Sequence, residues 1–336
     1  MALTTATLPP HRHEIDQQTV PRLGAGHPAR ILGIGIATLD IINQVERYPA
    51  EDDEVRALSQ HIARGGNCAN TLAVLSEFGH HCYWAGTLAN DSGAALIRQD
   101  LSARGIDLDA AKTIPGSATP TSYITLSRAT GSRTIVHHRD LPELSAADLA
   151  RTDLGALDWV HLEGRNPTET ARMLARIASE RPDLPISVEL EKPRPGIEAL
   201  FQLPETANSV LIIARAFAEQ QGAQDPQAFL QQFAKQSNAS LLLLPWGAAG
   251  AYALTRKREL LFAPAQPPAA IIDTIAAGDV FNAAAIAALL DHQPIDQVLR
   301  TANALAGHSC GQLGIDGLVH SARIAGVLPT QGLGFG

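Results

Sequence analysis

Ile271-Ile272-Asp273-Thr274-Ile275-Ala276-Ala277-Gly278-Asp279-Val280-Phe281-Asn282-Ala283-Ala284 reads as an apolar strand running into a turn of small residues, from which a helix departs. Val280, Phe281, Ala284, Ala285, Ala288 and Leu289 recur at helical spacing, so the turn sits at a helix N-terminus. Free backbone N–H groups and the helix dipole attract anions there. Small side chains let a phosphate approach the backbone closely. Asp279 falls in the first helical turn, beside that anion position. A carboxylate so placed can accept a proton from an attacking hydroxyl. It can equally serve as a helix cap and nothing more. Spacing alone leaves the two readings open.

The chain around this segment alternates between two kinds of element. Ile31 to Ile36, Tyr83 to Ala85, Trp159 to Leu162, Ile186 to Leu190, Val210 to Ile213 and Leu241 to Leu244 are short apolar runs of buried-strand character. Helical patterns separate them, from Asn67 to Phe78, over 91–104, and from Pro167 to Glu180. The alternation predicts an α/β fold of three layers, a mostly parallel sheet with helices on both faces. Ser122 to Leu126 alternates polar and apolar residues, as a half-exposed strand should, and after the turn-like Arg128 to Ser132 the stretch Arg133 to His138 returns as a second strand, so the pair reads as a hairpin. Regions 37–64 and 118–140 therefore predict a small β-sheet set apart as a lid. Residues 31–328 are expected to form a single domain, with residues 1–30 a poorly ordered extension.

Composition narrows the function. The 336 residues carry a formal net charge of −8, which argues against a nucleic-acid partner. No apolar run approaches the roughly 18 residues that span a bilayer, and residues 1–30 lack the apolar core of a secretory signal. Cys68, Cys82 and Cys310 form no C-x-x-C pair, as expected in a reducing cytoplasm. His80-His81-Cys82 and His137-His138 are adjacent residues whose side chains point to opposite faces of a strand, an arrangement that rarely shares one ion.

Asp273-Thr274-x-Ala-Ala-Gly278-Asp279 resembles the C-terminal signature of the ribokinase-like (pfkB) carbohydrate kinases. The resemblance implies that Asp279 is the catalytic base, and that Ala276, Ala277 and Gly278 form an anion hole for the transferring phosphoryl group. Arg64-Gly65-Gly66-Asn67-Cys68-Ala69-Asn70, which by itself reads as a turn with Asn67 as helix cap, resembles the N-terminal signature. Gly-Gly-Asn-x-x-Asn, where ribokinases usually carry Lys after the glycines, is similar to the ketohexokinases. On that likeness Gly66, Asn67 and Asn70 bind sugar. Asp40, just after the first strand, grips sugar hydroxyls, and Asp52 in Glu51-Asp52-Asp53-Glu54 reaches the sugar of a partner subunit. Segments from Gly131 to Ile135, Leu141 to Ser145, His161 to Asn166, Val188 to Arg194 and Gly314 to Gly317 follow in the same order, so the likeness spans about 31–320.

The resemblance further implies that Arg133, Arg165, Lys192 and Thr274 lie near phosphate and that Gly250, in Trp246-Gly247-Ala248-Ala249-Gly250, lies at the nucleotide. It implies ATP with Mg²⁺, a ketohexose such as D-fructose as acceptor, and a homodimer held by the lid strands. The N-x-x-E motif by which many of these kinases organise Mg²⁺ is missing. Ala214-Arg215-Ala216-Phe217 stands in that place, so the metal ligands are unassigned. Other acceptors within the family are a keto-deoxy sugar acid, ribose or a nucleoside; a catalytically inactive sugar sensor is a further alternative. A dinucleotide-binding protein is suggested only by Gly33-x-Gly35, which lacks the third glycine of that fingerprint.

Overall fold

The computed structural model describes residues 28–204 and 208–329. The expected N-terminal extension therefore lies outside the described residues, apart from its last three. Arg30 belongs to the fold, as the first residue of the first strand.

The strands are β1 (Arg30–Ile34), β2 (Thr38–Val45), β3 (Ser59–Gly65), β4 (His81–Ala85), β5 (Thr87–Leu88), β6 (Lys112–Thr113), β7 (Thr121–Ser127), β8 (Arg133–His138), β9 (Trp159–Glu163), β10 (Ile186–Leu190), β11 (Ser209–Ile213), β12 (Leu241–Pro245), β13 (Ala251–Thr255) and β14 (Leu260–Ala263). The helices are α1 (Asn67–Glu77), α2 (Ser92–Ala103), α3 (Ala146–Leu149), α4 (Pro167–Glu180), α5 (Arg215–Gln220), α6 (Pro226–Phe233), α7 (Ala277–Leu290), α8 (Ile295–Ser309) and α9 (Leu318–Ile324).

Eight strands make the central sheet in the order β14-β13-β12-β11-β10-β9-β1-β4. The six from β4 to β12 are parallel, and β13 and β14 close one edge antiparallel. Alternate residues feed two cores. Ile31, Trp159, Val210 and Leu241 pack on one face with α1, α2, α7, α8 and α9. Leu32, Val160, Leu211 and Leu242 pack on the other with α3 to α6. Burial on both faces is why these strands read as continuous apolar runs. The Ala-rich face of α7 lets α1 and α8 approach closely, and Phe281 of the same helix is buried in this core. Truncating such a buried aromatic to Ala costs about 3–5 kcal/mol. Gly33 and Gly35 serve this packing too. A Cβ at either would lie 2.5–2.8 Å from Cys68 or Leu72 of α1, so the glycines admit a helix rather than a dinucleotide.

The second sheet, β3-β2-β7-β8, is built from regions 37–64 and 118–140 and stands apart from the first, as expected. β2 pairs antiparallel with β3 and parallel with β7, and β7 and β8 form the expected hairpin.

Two expectations fail locally. The apolar doublet Ile271-Ile272 is not in a strand and is 68% and 54% exposed. The Ile272 N–H donates to Cys310 O (2.8 Å) at the end of α8, so the segment is pinned to a helix terminus and has no strand to pair with. Asn67 is not a helix cap either. It is the first residue of α1, the cap position falls to Gly66, and no side chain caps the helix.

Candidate active site

The C-terminal ends of the parallel strands and the N-terminus of α7 converge on one cleft. Ala276 takes the left-handed conformation (φ 63°) and turns the chain into α7, where no side chain caps the first turn. The first helical hydrogen bond runs from Val280 N–H to Ala276 O at 2.9 Å. The preceding amides are therefore left without intrahelical acceptors. A Cβ at Gly278 would meet nothing within 4 Å, so the space over the turn is open. Asp279 is not the cap that spacing alone allowed. Its side chain is buried, and Oδ2 accepts from Asn70 Nδ2 at 2.7 Å.

Asn70 and Asn67 project from the first turn of α1, which the Gly65-Gly66 turn aims. Gly66 needs φ +103°, and a Cβ there would lie 2.4 Å from Ile36 O. Asn67 Nδ2 donates to both carboxylate oxygens of Glu189 at 3.3 Å. Asp40, on the lid strand β2, accepts from Thr38 Oγ1 at 2.9 Å. Burial raises its pKa, opposed by hydrogen bonds from Thr38 and Ser122 and by the charges of Arg64 and His137. A cavity of about 260 Å³ is lined by Asp40, Arg64, Asn70, Ile275, Ala276 and Ile315. A roomier cavity of about 380 Å³ among Phe201, Phe217 and Phe229 carries no candidate residue.

Carboxylates dominate the floor. Burial pushes Asp279 up to about 8, with its hydrogen bond from Asn70 pulling the other way, Glu163 and Glu191 adding to the rise, and Arg64 opposing it. Glu189 is raised well above the usual carboxylate range by burial and then by Asp279 and Glu163. Glu163 is raised by burial, which outweighs Arg165 and an amide hydrogen bond from Ile36 (3.0 Å).

Asp40, Gly66, Asn67, Asn70 and Asp279, with the 276–278 turn, are thus brought together. Arg133 of the lid donates from NH1 to Thr274 Oγ1 at 2.6 Å, tying β8 to the start of the turn that leads into α7. Arg165 is held by Glu143 (3.1 Å), Glu163 (3.5 Å) and Glu191 (3.9 Å), and Lys192 by Glu191 (3.2 Å), at the rim beside His137. Asp52 lies exposed in the loop between β2 and β3. Gly250 ends a short turn between β12 and β13, where φ +116° and the backbone of Ala263 exclude a side chain. Glu163, Glu189 and Arg64 have no role assigned from sequence. The signal for the glutamates was present as charge inside fully buried strands, which demands a partner or a function.

The profile of the pfkB family carbohydrate kinases matches residues 29–320. The chain belongs to that family, and it is an ATP-dependent carbohydrate kinase. It is 37% identical to the ketohexokinase of Mus musculus over 298 residues, which cover 86% of this chain and 99% of the mouse protein. The ribokinase of Bacillus subtilis (strain 168) is 24% identical over 84% of this chain and 94% of its own. The structure of Arabidopsis thaliana ribokinase complexed with ribose and ATP superposes with a TM-score of 0.70 at 21% identity, over 86% of this chain and 94% of that one.

Proposed function

We propose that the chain transfers the γ-phosphoryl group of ATP to a hydroxyl of a ketohexose such as D-fructose. The observation that carries this reading is the burial of Asp279 in the first turn of an uncapped helix, hydrogen-bonded to Asn70 and beside a cavity that Asp40 also lines. Asp40, Gly66, Asn67 and Asn70 hold the sugar. Asp279 removes the proton of the acceptor hydroxyl, and the resulting oxygen bonds to the γ-phosphorus. The bond from that phosphorus to the bridging oxygen of ADP breaks, and the proton later returns from Asp279 to solvent. Backbone N–H groups of Ala276, Ala277 and Gly278 face the charge that develops in transfer. Arg133, Arg165, Lys192 and Thr274 stand near the phosphates, and Gly250 near the nucleotide.

Mg²⁺ arrives as part of the nucleotide substrate and neutralises its β- and γ-phosphates. Among the described residues there is no cluster of three or more His, Cys, Asp or Glu able to hold an ion, which agrees with delivery by ATP. A sugar acid would need a free arginine in the sugar cleft. Arg64, which lines the cavity, is already committed to Asp100 and Asn70. That favours a neutral sugar.

In this reading residues 31–328 work as one kinase unit in the cytoplasm, and the lid joins two copies into a dimer. Ile62, Ile41, Tyr123 and Val136 are cross-strand neighbours that form a row over all four lid strands. Ile62, Tyr123 and Val136 are 49%, 51% and 66% exposed. An apolar row on an open sheet favours a partner surface, and Asp52 then reaches toward the neighbouring sugar. No helix among the described residues is long and apolar enough to cross a membrane.

The test is a panel of D-fructose, other ketohexoses, ribose, a nucleoside and a keto-deoxy sugar acid, assayed with MgATP for ADP release and phosphosugar. The expected result is the highest kcat/KM for a ketohexose. A higher value for ribose or the acid overturns the substrate assignment.

A further inference from the structure

Arg64 is the last-but-one residue of lid strand β3, yet its side chain is almost wholly withdrawn from solvent. A buried guanidinium needs partners for its donors. Nε donates to Asp100 Oδ2 at 2.5 Å, and NH1 donates to Asn70 Oδ1 at 2.6 Å. The second bond fixes the orientation of the Asn70 amide, because Oδ1 must face the guanidinium. Nδ2 then points the other way, to Asp279 Oδ2 at 2.7 Å. Asp100 is held in turn by Arg104 (Nε to Oδ2, 3.1 Å), which also pairs with Asp316 and Glu77. The chain Arg104–Asp100–Arg64–Asn70–Asp279 thus runs from α2 through the lid strand and α1 to α7.

We propose that Arg64 is a positioning residue that sets the orientation of Asp279 through Asn70 and links the lid to the catalytic carboxylate. This rests on the reading of Asp279 as the base. The groups facing Asp279 are Cys68 and Asn70 from α1, Glu163 from β9, Glu189 from β10 and Glu191 just after it, and Arg64 from β3. Arg64 is the one cation among them, and its charge is partly offset by Asp100 and Asp316. A rigid-body shift of the lid that displaces β3 moves Arg64 with it, so lid position reaches the base through two hydrogen bonds.

The test compares pH profiles of kcat/KM for D-fructose in the wild type, Arg64→Met, Arg64→Lys and Asp279→Asn, each checked for folding by circular dichroism. Arg64→Met removes both the fork and the charge. It is expected to lower kcat by about 10- to 100-fold, the loss of one charge-assisted hydrogen bond. It also moves the rising limb of the profile to higher pH, by on the order of one unit, and leaves the KM for ATP unchanged. Arg64→Lys keeps the charge without the two-pronged fork. Its limb stays in place while kcat still falls. A limb and kcat equal to the wild type in folded Arg64→Met overturn the inference.

If Arg64→Met does not fold, Asp100→Asn decides. Arg64 then loses its counter-charge, so the limb shifts to lower pH while kcat falls several-fold, a sign that simple destabilisation does not produce. An unchanged profile again overturns the inference. Wild-type turnover in Asp279→Asn removes the base itself. An inactive Asp279→Asn beside an unmoved Arg64→Met profile removes only the role of Arg64.

Discussion

The two sheets of this molecule differ in pairing and in burial: the central sheet is mostly parallel, whereas the lid sheet is antiparallel at two of its three junctions. In the central sheet, β9, β10 and β11 are buried at every residue. In the lid sheet, β8 is exposed at every residue and β2 only partly covered. The central sheet gives the cleft its fixed parts, Glu163, Glu189 and the α7 turn that carries Asp279. The lid gives it Asp40, Arg64 and Arg133. The comparison teaches that the acidic floor is built into a close-packed core, where an uncompensated charge is costly, while Asp40, Arg64 and Arg133 ride on a sheet with little core of its own. Such an element opens and closes at low cost.

The largest effect expected on the lid side of this comparison is at Asp40. Asp40→Asn removes a charged acceptor for sugar hydroxyls, worth about 1.5–3 kcal/mol, roughly 10- to 150-fold in kcat/KM at 1.36 kcal/mol per decade. Steady-state kinetics should place the loss mainly in the KM for sugar, and an unchanged KM would detach Asp40 from the acceptor. Val136→Asp places a charge in the exposed apolar row. Forfeiting that apolar burial costs about 1.5 kcal/mol or more, so light scattering should show the proposed dimer weakened at least about tenfold. A wild-type oligomer in this variant would move the interface elsewhere. Arg133→Ala cuts the bond from lid to Thr274. An exposed hydrogen bond of about 0.5–1.5 kcal/mol predicts a two- to roughly tenfold fall in kcat/KM for ATP.

The core side makes a prediction in stability. Asp279 holds its proton up to about 8 in the folded chain, whereas an unfolded aspartate loses it near its ordinary value of 3.8. Between those values the folded state binds more protons, so Asp279 makes stability fall as pH rises from about 4 to about 8. Asp279→Asn should flatten that part of the melting-temperature profile and melt no lower than the wild type at pH 8. An unchanged slope between those values, with the variant melting lower than the wild type throughout, would mean that Asp279 is ionised and stabilising, as a cap would be.

Sequence reading found what local pattern encodes. α4 and β10 begin and end where Pro167 to Glu180 and Ile186 to Leu190 place them. The β7–β8 hairpin followed from strand patterning on either side of a turn, and the α7 turn from its run of small residues. It failed where a partner distant in the chain decides. Ile271-Ile272 has strand character, but its hydrogen bond goes to Cys310 on α8. Asn67 suits a cap by type, but Glu189, 122 positions away, takes its amide. Arg64 reads as an ordinary turn-flanking arginine until Asp100 and Asn70 are seen on either side of it.

The central claim is that Asp279 takes the proton of the acceptor hydroxyl, and turnover of purified, folded Asp279→Asn with MgATP and D-fructose tests it most directly. Asn keeps the size of the side chain and can still accept from Asn70, but it cannot take a proton. Loss of a positioned base lowers kcat by roughly 10²- to 10⁴-fold, about 2.7 to 5.4 kcal/mol of barrier, with ATP affinity and melting temperature retained. Wild-type kcat in the folded variant would contradict the account.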